Sequence, residues 1–276
     1  MKKGLFGLGV VAALSFPVVG MAYGESEPLE HFDPALQGKF LVPSASVGQE
    51  LYSPMYVDQK YPFLFDLKKV NEFGEIKSTT AEGEPYTLDG LQHFSKITNV
   101  EFRDGYITDL RPISGITQNK ELNLVQPLSS LTFLKGMKNI EVLDIEATNI
   151  INDDAFLDSV DEKLYALTDL SVINELCNLK VVDIHSQERL FPTISLKKSM
   201  NKYVLVNPFI LSKQFKNSEV EITSKTPGFT FEDDILTWDG ITPETNELQI
   251  SWEFNSNENG SFEFSGDSVI PINWID

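Results

Sequence analysis

The chain has almost no cysteine and few basic residues. Cys177 is the one cysteine in 276 residues, so no disulfide can form within the chain. The disulfide-stapled extracellular scaffolds are therefore excluded. Lysine and arginine number 22 against 41 aspartates and glutamates, which gives a net charge of −19. Such a charge repels phosphate groups, so it disfavours nucleic acid and anionic membrane surfaces and favours a basic partner or bound cations.

Catalytic motifs are also missing. The histidines are His31, His93 and His185, and the sequence contains no H-E-x-x-H, C-x-x-C, P-loop or G-x-S-x-G. The acids at 153–162 lack the spacing of a calcium-binding loop and are interpreted as an exposed helix face. We therefore predict no catalytic residue, no cofactor and no metal site. A polysaccharide-active enzyme with two carboxylates stays open as a hypothesis of another class.

The N-terminus has the pattern of a secretory signal peptide over residues 1–24. Lys2 and Lys3 form a basic start, an apolar stretch follows at 4–20, and Ala22 and Gly24 are small residues suited to cleavage. The alternative is a membrane anchor, which needs about 20 apolar residues and a basic flank. Acidic residues follow instead, so we expect cleavage and secretion.

A repeat emerges from pairs of alternating apolar residues. Val100-x-Phe102 is followed 22 residues later by Leu122-x-Leu124, and a further 21 residues later by Leu143-x-Ile145. The same pair recurs as Val182-x-Ile184 and as Tyr203-x-Leu205. Alternation predicts a short strand with the paired residues inward, and copies of this kind stack strand beside strand. Later apolar residues, such as those of ITDLRPISGI, are predicted to close each coil on the opposite side.

The segment ITNVEFRDGYITDLRPISGI resembles the leucine-rich repeat of the bacterial internalin family. The residues that fall on the family motif are Ile97, Val100, Phe102, Ile107, Asp109, Leu110, Pro112 and Ile113, with Gly105 in place of its Asn. The resemblance covers about residues 86–210 and implies a leucine-rich repeat solenoid, of mixed α/β and β class. It also implies an N-terminal cap at 25–85. An aromatic ligand-binding surface at Tyr52, Tyr56 and Tyr61 is the alternative for that segment.

Two further segments interrupt or follow the repeats. Residues 150–167 place apolar residues at helical spacing, which predicts an amphipathic helical insertion. Residues 211–276 change to short alternating segments such as ELQISWEF, with a hairpin turn signal at Asn259-Gly260. They predict a small antiparallel β-sandwich, which resembles the immunoglobulin-like module that follows the repeats in internalins. Cys177 is predicted to be buried in a repeat turn, with pairing between chains as the alternative.

The strand register predicts a concave, solvent-facing surface. The residues beside each inward pair form an acidic band with an apolar patch towards the last coil. We predict partner-binding residues at Glu101, Arg103, Glu121, Asn123, Asp144, Glu146, Asp183, His185, Val204 and Val206. An acidic band beside apolar residues suits a basic protein partner, because charge speeds encounter and apolar contacts hold the complex. The alternative is that these charged residues only keep this side of the sheet hydrated and bind no partner.

These observations favour a secreted, non-catalytic protein-binding scaffold that acts as a monomer. The resemblance implies a Gram-positive bacterial adhesin or virulence factor whose partner is a host or surface protein. The sequence ends without a sorting signal or hydrophobic tail, so we expect release into the medium. Non-covalent association with the cell surface is the alternative location. The alternative function is a structural component of a bacterial cell-surface protein complex.

Overall fold

The fold consists mainly of β-strands, connected by short 3₁₀ turns. The computed structural model describes residues 40–43, 52–54, 75–78, 86–88, 97–103, 107–148 and 165–276. The strands are β1 (Phe40–Pro43), β2 (Tyr52–Pro54), β3 (Glu75–Ser78), β4 (Tyr86–Thr87), β5 (Asn99–Phe102), β6 (Ile107–Asp109), β7 (Glu121–Val125), β8 (Val142–Ala147), β9 (Val181–Leu190), β10 (Ile194–Lys197), β11 (Lys202–Val206), β12 (Glu219–Thr223), β13 (Phe229–Glu232), β14 (Ile235–Asp239), β15 (Glu247–Ser256) and β16 (Ser261–Ile275).

The predicted apolar pairs lie in adjacent parallel strands. In register, Val100 of β5 lies beside Leu122 of β7, which lies beside Leu143 of β8 and then Val182 of β9. All four side chains are at most 1% exposed. Each apolar residue therefore packs between its equivalents in the neighbouring strands, and this part of the repeat prediction is confirmed.

Short 3₁₀ turns lie between the strands of this ladder, over Arg111–Gly115, Thr132–Leu134 and Ser171–Glu175. A 3₁₀ turn has three residues per turn, so apolar residues spaced by three all face the core. The residues at this spacing are Leu110, Ile113 and Ile116, then Leu131, Leu134 and Met137, then Leu170, Ile173 and Leu176. All but Leu110 are buried, and Leu110 packs against the same core. The turns form the second wall of each repeat unit, as the sequence predicts.

Side-chain amides connect consecutive units on the side of these turns. Asn139 Nδ2 donates to the carbonyl oxygen of Thr117 at 2.7 Å, and Asn178 Nδ2 donates to that of Lys138 at 3.0 Å. Each amide satisfies a carbonyl in the preceding unit that the strands do not reach. The turn side therefore has its own hydrogen-bonded connection between units.

The C-terminal hairpin extends the repeat sheet. β15 and β16 are antiparallel, and their connection includes Asn259 at φ 64°, as the Asn-Gly turn signal predicts. β16 also pairs in parallel with β9, with a bulge between Gly266 and Ser268. The resulting sheet has eleven strands in the order β12-β15-β16-β9-β8-β7-β5-β3-β1-β2, and β10 also pairs with β16. The repeats and the C-terminal segment therefore share one sheet.

A separate three-stranded sheet, in the order β11-β14-β13, covers part of the same core. Trp238 of β14 is fully buried, and its Nε1 donates to Ser224 Oγ at 3.1 Å. Ser224 Oγ in turn donates to the carbonyl oxygen of Gln249 in β15 at 2.5 Å. This connection holds the smaller sheet against the larger one.

The structure corrects the fifth predicted repeat pair. Tyr203 and Leu205 belong to β11, which pairs antiparallel with β14 rather than with the repeat strands. Before β11, Phe191 and Ile194 follow the three-residue apolar spacing of the other units, but Lys197 replaces the third apolar residue, and Ile194–Lys197 form β10 instead of a 3₁₀ turn. Without that wall, β11 cannot stack as another unit. It joins the three-stranded sheet instead.

Two further predictions concern the turns and the insertion. Cys177 is exposed, which corrects the expected burial, because Leu176 and Leu179 are the neighbouring residues that face the core. The helical insertion was predicted over residues 150–167; residues 150–164 lie outside the described part of the chain, and residues 165–167 are not helical. At its end, Tyr165 forms a bridge with Leu190. Tyr56 and Tyr61 also lie outside the described residues, as does most of the predicted cap.

Candidate functional site

The solvent-facing side of the repeat sheet continues onto the C-terminal strands. We call this side, formed by the outward residues of β5, β7, β8, β9, β16, β15 and β12, the open face. Its outward residues alternate with the buried ones, because successive side chains of a strand point to opposite sides. Seven register partners form a first row across it: Glu101, Asn123, Asp144, Asp183, Glu263, Asn255 and Glu219. From β5 to β12 this row contains no lysine or arginine, whereas on β3 the register partner of Glu101 is Lys77.

A second row runs parallel to the first, two residues further along the strands. Its members are Val125, Glu146, His185, Ser265, Glu253 and Glu221. From β7 to β12 this row also contains no lysine or arginine, and Arg103, two residues after Glu101, lies at its β5 end. Neighbouring strands lie about 4.8 Å apart, so carboxylates in adjacent strands of a row repel one another. The open face from β7 to β12 therefore carries clusters of carboxylates and no lysine or arginine in its two rows.

An apolar strip borders the acidic rows on β8 and β9. Val142 and Val181 are register partners, and Val181 is 37% exposed. Glu121 lies beside Val142 on the next strand and accepts a hydrogen bond from Asn99 Nδ2 at 3.0 Å. The strip places aliphatic side chains next to carboxylates, a combination that suits contact with another protein surface.

Arg103 follows the last residue of β5, and its side chain reaches two carboxylates of the first row. Its guanidinium lies 3.3 Å from Glu101 and 3.3 Å from Asp144. Asp144 also accepts a hydrogen bond from Asn123 Nδ2 at 2.7 Å. Burial raises the pKa of the Asp144 carboxyl above its ordinary value; the Arg103 charge opposes this rise, and the Asp183 charge adds to it. Arg103 thus compensates the charge at the β5 end of the row.

His185 lies between two different polar partners. Its Nε2 is 2.9 Å from Asp183 Oδ1, two residues earlier on the same side of β9. Its Nδ1 is 2.6 Å from the Oγ of Ser265, the register partner on β16. Each ring nitrogen therefore lies close to a polar atom, at the point where the repeat strands meet the C-terminal hairpin.

A charged ladder runs along the edge where the repeat strands begin. Glu141 lies between Lys120 and Lys180, which precede β7 and β9. Hydrogen bonds from Lys180 and then Lys120 lower the pKa of the Glu141 carboxyl below its ordinary value. Lys120 and Lys180 are thus engaged by Glu141 at the border of the open face.

The structure brings together eight of the ten residues that the sequence assigns to the concave face. Glu101, Arg103, Glu121, Asn123, Asp144, Glu146, Asp183 and His185 lie on or at the end of β5, β7, β8 and β9. Val204 and Val206 do not: they project from β11 in the three-stranded sheet, where they are 49% and 70% exposed. This is a correction, and it follows from the pairing of β11 with β14.

Sequence reasoning missed the part of the open face that the C-terminal strands supply. Glu263 and Ser265 of β16 and Glu253 of β15 were assigned to a separate domain. The available signal was Phe262-x-Phe264, an alternating pair like those of the repeats. This pair does not follow the preceding pair at the 21- or 22-residue interval of the repeats, so the sequence does not indicate that it lies beside β9.

The resulting class is a β-sheet protein whose stacked parallel units share one sheet with a C-terminal hairpin. No model of a known protein family matches the chain, and no curated protein matches it. Among the residues that the structure describes, none forms a helix long and apolar enough to cross a membrane.

Solved structures with distant similarity include internalins of Listeria monocytogenes. The functional domain of InlJ is 14% identical over 66% of this chain and 50% of its own, with a TM-score of 0.26. Internalin C2 is 23% identical over 43% of this chain and 54% of its own, with a TM-score of 0.31. InlP is 13% identical over 71% of this chain and 72% of its own, with a TM-score of 0.22. The chain thus spans about half the length of the InlJ and internalin C2 structures.

Proposed function

We propose that the chain is a secreted, non-catalytic scaffold of the internalin-like leucine-rich-repeat type, which binds a basic protein through its open face. In this proposal the stacked strand-and-turn units are leucine-rich repeats. The antiparallel strands after them, in the three-stranded sheet and at the C-terminal end of the eleven-stranded sheet, correspond to the immunoglobulin-like module. The partner is a host-cell or bacterial surface protein, so the chain acts as an adhesin or virulence factor.

The observation that carries the proposal is the pair of acidic rows. They extend over the strands of the repeats and of the C-terminal hairpin, and from β7 to β12 neither row contains a lysine or an arginine. Carboxylates held in register at the strand spacing repel one another, so a cationic partner relieves that repulsion on binding. The same field raises the rate of encounter with a basic surface.

The apolar strip supports the same proposal. Electrostatic attraction alone contributes more to the rate of association than to the lifetime of a complex, whereas buried apolar contacts slow dissociation. Val142 and Val181 offer such contacts immediately beside Glu121. The open face therefore has the two components that a protein-binding surface requires.

A binding experiment with two charge-reversal variants tests the proposal. Glu121→Lys combined with Glu146→Lys changes the open face and leaves His185 and its two polar contacts, Asp183 and Ser265, unsubstituted. The matched control is Glu175→Lys combined with Glu232→Lys, which makes the same change in net charge at two exposed positions off the open face. Surface proteins captured by the wild-type chain are identified and their affinities measured at two salt concentrations.

We expect the open-face variant to lose about tenfold or more in affinity, or ~1.4 kcal/mol, and to show a weaker salt dependence. The control variant keeps the wild-type affinity. Equal affinity of the open-face variant and the wild type, for every captured partner, overturns the proposal.

A further inference from the structure

Three side chains with metal-binding atoms converge where β9 meets β16. Asp183 and His185 lie two residues apart on the open side of β9, and Glu263 is the register partner of Asp183 on β16. One ligand atom from each residue lies within 4.8 Å of those from the other two. The cluster therefore joins a repeat strand to a C-terminal strand through residues that are distant in sequence.

The two carboxylates of this cluster have little basic compensation. In the described part of the chain, neither Asp183 nor Glu263 forms an ion pair with a lysine or arginine. Asp144, the next carboxylate in the first row, is contacted by Arg103 and by Asn123. The excess negative charge is thus localised where β9 pairs with β16. A cation bound there would offset the repulsion between the Asp183 and Glu263 carboxylates.

The histidine is oriented as metal-binding histidines are. A ligating imidazole binds the metal through one nitrogen and donates a hydrogen bond from the other, which fixes the tautomer. Ser265 Oγ lies 2.6 Å from His185 Nδ1 and can accept that bond. In that tautomer Nε2 carries the lone pair, and Asp183 Oδ1, 2.9 Å away, has no hydrogen-bond partner among the described residues, so both atoms are available to a metal ion.

From this geometry we propose that Asp183, His185 and Glu263 bind a divalent transition-metal ion of the zinc type, which bridges β9 and β16. One imidazole nitrogen and two carboxylate oxygens are a ligand set typical of zinc, with water completing the coordination. Calcium prefers oxygen ligands alone and is disfavoured by the histidine. The Asp183 and His185 side chains are 45% and 35% exposed, so they can close to the ~2.0–2.2 Å metal–ligand distance.

The function of such a site is to connect the two parts of the sheet. A metal held by residues of both strands stabilises their pairing, because it binds the folded chain and not the unfolded one. It also neutralises charge at the centre of the open face. This inference stands independently of the proposed protein partner, since it needs no other macromolecule.

Titration of the full chain with Zn²⁺ tests the site. Isothermal titration calorimetry measures affinity and stoichiometry, and the visible spectrum of the Co²⁺ form reports nitrogen and oxygen coordination. The variants are His185→Gln and Glu263→Gln, which remove a ligand from each strand. Glu221→Gln is the matched control, because it removes one exposed carboxylate from the second row without touching the cluster.

We expect about one Zn²⁺ per wild-type chain, an affinity at least tenfold lower in His185→Gln and Glu263→Gln, and no change in Glu221→Gln. Zn²⁺ should raise the Tm of the wild type and of Glu221→Gln, but not that of His185→Gln. The proposal is overturned if no saturable binding occurs at millimolar Zn²⁺. It is also overturned if His185→Gln binds and is stabilised like the wild type, because the ion then lies elsewhere.

Discussion

Ile184 of β9 and Phe264 of β16 are register partners in adjacent parallel strands, although the chain forms β10 to β15 between them. Both side chains are fully buried. The repeat units and the C-terminal hairpin therefore share both backbone hydrogen bonds and core. We expect them to unfold as one cooperative unit rather than as two domains.

Gly266 allows the close approach of β16 to β9. A Cβ at this position would lie 2.2 Å from the carbonyl oxygen of Ser186 and 2.4 Å from Cζ2 of Trp252. Gly266→Ala should therefore lower the free energy of unfolding by about 2–3 kcal/mol, measured by urea denaturation. Ser251→Ala, on the outward side of β15, is the control and should change it by less than about 0.5 kcal/mol. Equal stability of the two variants would contradict the close packing at this junction.

Asn119 occupies a core position of the repeat at which Ile97, Ile140 and Leu179 stand in the other units. It is 1% exposed, and neither polar atom of its side chain has a hydrogen-bond partner among the described residues. Asn119→Ile should therefore raise the free energy of unfolding by about 1–3 kcal/mol, because an unsatisfied buried amide is replaced by an apolar group.

The contrasting variant for this measurement is Asn139→Ala. Asn139 is satisfied, since it donates to the carbonyl oxygen of Thr117. Its replacement should lower the free energy of unfolding by about 0.5–1.5 kcal/mol. A loss of stability in Asn119→Ile would show that the Asn119 amide has a stabilising partner after all.

The charged ladder at Glu141 should make stability depend on pH. Its carboxyl pKa is lowered in the folded chain by Lys180 and Lys120, so its ionised form stabilises the fold above the unfolded value of 4.5. That contribution is lost as the pH falls through the lowered pKa. The wild type should therefore have a higher Tm than Glu141→Gln at pH 7, and the difference should shrink below pH 4.5. A Tm difference that stays constant from pH 7 to pH 3 would be inconsistent with this role.

Cys177 should react in the folded chain. It is exposed, and its Sγ has a long hydrogen bond of 3.6 Å to the carbonyl oxygen of Glu175. We expect a thiol reagent such as dithionitrobenzoate to modify the single cysteine of native protein to the same extent as in denaturant. Modification that occurs only after denaturation would restore the buried placement that the sequence suggested.

The repeat ladder was predictable because its signal is local. The strand pair Leu122-x-Leu124 and the three-residue spacing at Leu131, Leu134 and Met137 recur within each unit, and both follow from the period of the backbone. The eight concave-face residues on β5 to β9 follow from the same alternation. Here the hydrophobic pattern alone determines which side of the strand is buried.

The pairing of β16 with β9 could not be predicted in this way. Alternation shows that Phe262 and Phe264 face a core, but it does not say which strand lies beside them. The same ambiguity placed Val204 and Val206 on the wrong sheet, since β11 has the alternation of a repeat strand without the preceding turn. Partner choice between distant strands depends on packing of the whole core, which periodicity does not contain.

The position of β16 in the sheet has a consequence for synthesis on the ribosome. The strand that lies directly beside β9 is made after β15, so every shorter nascent chain carries β9 as an open edge with its amides unpaired on one side. Parallel pairing over such a sequence distance is slow, because the loop must close before its contacts form. A chain stalled before residue 261 is thus a ready template for intermolecular pairing, and arrival of the last strand is the event that removes this hazard.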